Sequence, residues 1–241
     1  MGVIVCTVSG KGGTGKSTVS SGLAIAAASK NANVLLLDLD AGLRCLDTIF
    51  GIDEAIVFDL SDSIKENDLK KSIYKSGNYD NISVVPAPGK AEKIDFNVLH
   101  SLIESEIKNY DFIILDFPAG ADFEAYSHFP DAVFLIVSCA DDVSVKAAAV
   151  ISGGIAPKVN KRLIINRFDK DMISAGFYKN IDDIINTSQT QLIGIVPADG
   201  ELLLLSRNHK LKNKGRALRA FDRIIRRISG ENLVLPDIKK I

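Results

Sequence analysis

Cysteine is scarce and scattered in this chain: Cys6, Cys45 and Cys139 are odd in number, and no two form a CxxC pair. That pattern excludes a disulfide framework and a cysteine metal site, and it fits a reducing compartment. Each cysteine reads as a small hydrophobe. Long apolar runs are also missing. Stretches such as Ala132–Val137 fall far short of the ~18 residues that cross a bilayer. No basic leader with a cleavage-site pattern precedes the first strand-like run, and no Pro/Gly/Ser-rich linker, internal repeat or low-complexity tract divides the chain. The expectation is a cytoplasmic protein, or one peripheral at a membrane, built as a single domain over residues 1–241.

What is present describes an ordinary globular chain: 46% hydrophobic and 24% charged residues allow a sizeable core. Short β-rich apolar runs at Val3–Val8, Val34–Leu37, Ile82–Val85, Phe112–Leu115, Ala132–Val137, Arg162–Ile165 and Leu192–Val196 read as strands. Helical spacing separates them at Lys16–Ser29, Phe96–Lys108, Ser144–Ile151, Ile181–Ile185, Gly200–Ser206 and Arg216–Ile228. Strands that are apolar throughout and alternate with helices predict an α/β fold, a doubly wound, mostly parallel sheet with helices on both faces. Such a sheet binds ligands outside the carboxyl ends of its strands.

At the end of the first strand stand Gly10, Lys11, Gly12, Gly13, Thr14, Gly15, Lys16, Ser17 and Thr18, which match G-x-x-x-x-G-K-[ST] between a strand and a helix. Glycines let successive N–H groups face phosphate oxygens, and the following helix adds its positive end. Lys16 would neutralise the β- and γ-phosphates, and the Ser17 hydroxyl would ligate Mg²⁺. The glycines at 10, 12 and 15 also read as G-x-G-x-x-G, with Asp38 about where a dinucleotide enzyme keeps its ribose-binding acid. An NAD site has no use for the Lys16-Ser17 pair, so a triphosphate is the better fit. Two further strands end in acids, Asp38 with Asp40 and Asp116. Beside a phosphate loop, such carboxylates suit Mg²⁺ and the attacking water.

The loop Ser9–Thr18, with its second lysine at Lys11, resembles that of the MinD/ParA family of deviant Walker A P-loop ATPases. Asp38-Leu39-Asp40-Ala41-Gly42-Leu43-Arg44-Cys45-Leu46-Asp47 is similar to switch I of the MinD branch, and Asp116-Phe117-Pro118-Ala119-Gly120 to its switch II. Asn166-Arg167 and Gly194–Asp199 resemble the segments that border adenine. Val137–Asp142 departs from the family's V-T-N-P-E. The resemblance implies cofactors ATP and Mg²⁺, with slow, partner-stimulated hydrolysis in an ATP-dependent homodimer. It implies that Lys16 and Ser17 act in cis, that Lys11 reaches the partner's phosphates, and that Asp40 positions the water. Asp38 and Asp116 would hold Mg²⁺ through its waters, Gly15 and Thr18 would bind phosphate through their N–H groups, and Asn166, Arg167, Pro197 and Asp199 would surround the base. The implied task is spatial switching in division-site placement, driven with an unidentified protein activator. The alternatives are ParA-like partition or another positioning ATPase that binds DNA through the basic C-terminal surface, a metal-delivery ATPase, against which the lack of a CxxC pair argues, or a catalytically weak scaffold that only binds.

Positive charge gathers in one stretch, Arg207, Lys210, Lys212, Lys214, Arg216, Arg219, Arg223, Arg226 and Arg227, while the whole chain carries a net charge of −1. Leu218, Phe221, Ile224, Ile225 and Ile228 recur there at helical spacing. This reads as a last core helix with a solvated face, or as a basic surface for anionic lipid or DNA that dimerisation would double. After Gly230 the residues to Ile241, interrupted by Pro236, are too few for the family's amphipathic membrane helix.

Overall fold

The computed structural model describes residues 2–90, 92–169, 171, 175–176, 180–207, 210–212 and 215–235. Lys214 of the basic stretch and Pro236 lie outside them. Eight strands form one sheet: β1 (Val3–Val8), β2 (Val34–Asp38), β3 (Tyr74–Lys75), β4 (Ile82–Val85), β5 (Phe112–Asp116), β6 (Val133–Cys139), β7 (Lys161–Phe168) and β8 (Leu192–Pro197). Their order is β3-β4-β2-β5-β1-β6-β7-β8. All pair in parallel except the two-residue edge strand β3, which runs antiparallel to β4.

The strands are apolar throughout because both faces are covered. Successive residues alternate between two cores: Cys6 and Val8 pack on one side of β1 and Val5 on the other, and β2 divides Leu35 and Leu37 from Val34 and Leu36 in the same way. One face is covered by α1 (Lys16–Ala28), α2 (Cys45–Phe50), α8 (Gly200–Leu204) and α9 (Arg216–Ile228). The other is covered by α3 (Leu60–Glu66), α4 (Phe96–Glu106), α5 (Phe123–Ser127), α6 (Asp142–Gly154) and α7 (Ile181–Ser188). Helices α1 and α9 pack so closely that a Cβ at Gly22 would overlap the Phe221 ring.

The expected strands and helices are all present, and β7 extends three residues past Ile165 to Phe168. Unforeseen are α2, α3, α5 and β3, each seven residues or shorter. Elements that short show no full amphipathic period. The chain runs from β1 outward to one side and returns through β5, then crosses to β6 on the other side. The carboxyl end of β1 is therefore the switch point of the sheet, where such folds open a crevice. The loop Gly10–Gly15 starts there.

Candidate nucleotide-binding site

The loop leaves β1 at Ser9, whose hydroxyl donates to the Lys11 carbonyl at 2.9 Å. Gly10 to Gly13 are exposed. Gly13 and Gly15 have φ of 80° and 87°, in the left-handed region where a Cβ is costly. Gly15 is doubly constrained, since a Cβ there would also collide with the Asn166 amide. α1 follows, and the N–H groups of its first turn have no partner within the helix, so they form an anion-binding end.

Asn166 holds this loop from outside. Its Nδ2 donates to the Thr14 carbonyl at 2.8 Å, and the side chain is buried. The residue lies within β7, not after it, at an irregularity of the β7–β8 register between Ile165 and Phe168. Arg167 adopts φ of 52° there, and that kink leaves Asn166 buried and Arg167 exposed. Asn166 Oδ1, an acceptor, and the Thr14 hydroxyl, which can donate or accept, are buried without a partner in the chain. Pro197 closes β8 opposite Phe168, and Asp199 caps α8 by accepting from the Glu201 N–H at 3.0 Å.

Asp38 and Asp116 end neighbouring strands and face each other in register. Asp116 Oδ1 accepts from Thr7 Oγ1 at 3.0 Å and from Ser20 Oγ at 2.9 Å, while its Oδ2 is buried and unpartnered. Burial pushes the Asp116 carboxyl up, opposed by hydroxyls of Ser17, Ser20 and Thr7 and by the Lys16 ammonium. Asp38 Oδ1 and Oδ2 accept from the backbone N–H groups of Asp40 and Leu46 at 2.9 and 3.4 Å. Burial first, and the Asp116 charge second, push Asp38 up to about 8. Two desolvated carboxylates beside Ser17 and Lys16 are short of positive charge. Mg²⁺, which needs one or two carboxylates with water and phosphate oxygens and no full protein cage, fits that donor set.

Switch I is fixed at its far end by Arg44, which donates to Asp47 Oδ2 at 2.7 Å as α2 begins. Asp40 is half-buried and lines a cavity of about 740 Å³ between switch I, Ile94–Asn97 and α5. Lys11 pairs with Asp141 of its own chain at 3.6 Å. Asp141 also caps α6, accepting from the Ser144 N–H at 2.9 Å and its hydroxyl at 2.6 Å, and these bonds with Lys11 hold its carboxyl below the usual range. The structure thus brings Lys16, Ser17, Asp38 and Asp116 together, with Asn166 against the loop. The pattern reading missed Thr7, Ser20 and Asp141. Only the Asp141-x-x-Ser144 spacing, an N-cap signature, signalled one of them.

The basic stretch is divided: Arg207, Lys210, Lys212, Arg216 and Arg219 are exposed, whereas Arg223, Arg226 and Arg227 are half-buried against their own chain. Arg223 donates to the Val234 carbonyl at 2.7 Å, Arg226 binds Glu231 at 2.6 Å, and Arg227 donates to the carbonyls of Leu233 and Ile193. Lys212 pairs with Glu201 at 3.0 Å, and Lys210 lies over the Tyr79 ring. Among the described residues no helix is long and apolar enough to cross a membrane.

Residues 5–211 match the CobQ/CobB/MinD/ParA nucleotide binding domain (CbiA). The septum site-determining protein MinD of Helicobacter pylori is 30% identical over 99% of this chain and 95% of its own length. MinD in the MinC:MinD cell division complex of Aquifex aeolicus superposes with a TM-score of 0.86 at 30% identity, covering 98% of both chains. The cell division ATPase MinD of Pyrococcus furiosus gives a TM-score of 0.78 at 25% identity, over 95% of this chain and 99% of that one. With a phosphate loop at the sheet's switch point and a family match across most of its length, this chain belongs to the CobQ/CobB/MinD/ParA nucleotide-binding domain family.

Proposed function

We propose that this chain is a MinD-like ATPase that binds Mg·ATP at Gly10–Thr18, dimerises in that state and hydrolyses it, serving as a spatial switch in division-site placement. The observation that carries the reading is the pairing of Asp38 with Asp116 across β2 and β5, beside Lys16 and Ser17 at the start of α1. The names of the MinD relatives supply the biological task.

Hydrolysis places a water oxygen on the γ-phosphorus and breaks its bond to the ADP oxygen. Such transfer asks for positioning and charge stabilisation more than for a strong base. Mg²⁺, when bound, would supply positive charge to the phosphates. Lys16 and the first-turn N–H groups of α1 balance phosphate charge, and the Ser17 hydroxyl with Asp38 and Asp116 would hold the metal through its waters. Asp40 orients the attacking water. Asn166, Arg167, Pro197 and Asp199 border the base, where Asn166 Oδ1 offers a free acceptor to an adenine amine. Lys11 leaves Asp141 to reach the nucleotide of a second copy, and a protein activator accelerates a slow basal rate. The whole chain acts as one domain.

A ParA-like surface on DNA, or a lipid surface, draws less support from α9. Its apolar face is buried and three of its arginines engage their own chain. The direct test is ATP turnover by wild type and Lys16→Ala. Loss of hydrolysis and of nucleotide binding in the variant supports the reading, and an unaltered rate refutes it.

A further inference from the structure

Switch II is tethered at two points by one side chain that no motif singles out. The Tyr126 ring, 4% exposed, meets Phe117 edge-on with centroids 5.1 Å apart, and its hydroxyl donates to the Gly120 carbonyl at 2.8 Å. Phe123 and Phe134 hold the same ring from two further sides, at 5.9 and 5.6 Å. Between the two grips only Pro118 and Ala119 are exposed. Gly120 has φ of 122°, a conformation that glycine adopts readily and L side chains rarely do, so the backbone turns freely at this residue unless it is held. Its N–H donates to the Ser9 carbonyl at 2.9 Å, at the root of the phosphate loop. Both peptide units flanking this pivot are thereby fixed, one by Ser9 and the other by Tyr126.

We infer that Tyr126 is a positioning residue for ATP hydrolysis, stationing the Pro118-Ala119-Gly120 tip of switch II against the phosphate loop. The inference rests on the ATPase reading above. A glycine pivot flanked by exposed residues would otherwise sample many positions, and each one populated dilutes the fraction of enzyme with switch II in place. The hydroxyl is suited to the task because the phenol stays protonated at every physiological pH, burial first and the Asp122 charge after it pushing it up to about 12. Its ring and hydroxyl contact Phe117, Phe123, Phe134 and Gly120, none of them assigned above to phosphate, base or metal, so its removal should act on turnover without acting on binding.

The experiment compares wild type, Lys16→Ala and Tyr126→Phe in steady-state ATPase assays, ADP titration, thermal melting and amide exchange of residues 117–121. Tyr126→Phe keeps the ring and loses one neutral hydrogen bond, which is worth roughly five-fold. The expected result is a kcat lowered about five-fold or more, with KM for ATP, ADP affinity and Tm near wild type and faster exchange at Gly120. A wild-type kcat in Tyr126→Phe, or losses of binding and Tm that parallel the loss of kcat, would overturn the inference. If wild type itself does not hydrolyse ATP, the ATPase reading fails, and the exchange arm still decides whether Tyr126 positions the loop: unchanged protection at Gly120 overturns it.

Discussion

Asp38 and Asp116 face opposing demands in the folded chain. The proposed metal site needs them as anions, whereas burial disfavours that charge. A carboxyl raised to about 8 lets the folded state keep a proton that the unfolded chain has lost above the ordinary carboxylate range near 4. Folding stability from this group therefore falls as pH rises between those two values. Asp38→Asn should raise the Tm of the nucleotide-free protein at pH 8.5 more than at pH 5, and it should abolish the Mg²⁺-dependent gain in Tm on adding ATP. Differential scanning at the two pH values checks both. Asn166 is a second test at this scale. Asn166→Ala deletes the bond to Thr14 and should weaken ADP binding about ten-fold, roughly 1.4 kcal/mol, by calorimetric titration. The acids and the loop were legible because G-x-x-x-x-G-K-[ST] and strand-end carboxylates are local patterns. Thr7, Ser20 and Tyr126 were not, because their partners lie 109, 96 and 6 residues away with no sequence signature.

At the scale of elements, the hydrophobic period placed seven of eight strands and the longer helices, since sheet burial on both faces writes unbroken apolar runs. It missed α2, α3 and α5, each too short to show an apolar stripe; α3 and α5 start at side-chain caps, the Asp59–Asp62 box and Asp122, while α2 has no side-chain cap and starts at Arg44 in the left-handed region. α9 shows how one pattern carries two readings. Its apolar stripe packs on α1 and β8, and Phe221, fully buried against Gly22, anchors the contact. Phe221→Ala should cost about 3–5 kcal/mol in denaturant unfolding, the usual range for a buried aromatic truncated to alanine. Three of its arginines, Arg223, Arg226 and Arg227, turned out to be bound to residues Glu231–Val234, which helical spacing alone does not show. Arg223→Glu with Arg226→Glu should leave ATP turnover unchanged. Co-sedimentation with anionic liposomes, with and without ATP, reports whether that face has any lipid role.

For the whole molecule, the informative contact is the one between Lys11 and Asp141. The ion pair is partly exposed, and pairs of that kind contribute little, so Lys11 can leave it readily. A lysine held loosely at the mouth of the site suits a group that exchanges an internal partner for the phosphates of a second copy. In this account Lys11→Ala binds ADP and ATP normally but stays monomeric, whereas Asp40→Ala dimerises and persists because the attacking water is not oriented. Sedimentation velocity of wild type and Lys11→Ala, each with Mg·ADP and with Mg·ATP, tests the switch most directly. The account predicts a dimer only for wild type with Mg·ATP; a wild-type protein equally dimeric, or equally monomeric, with both nucleotides would contradict it.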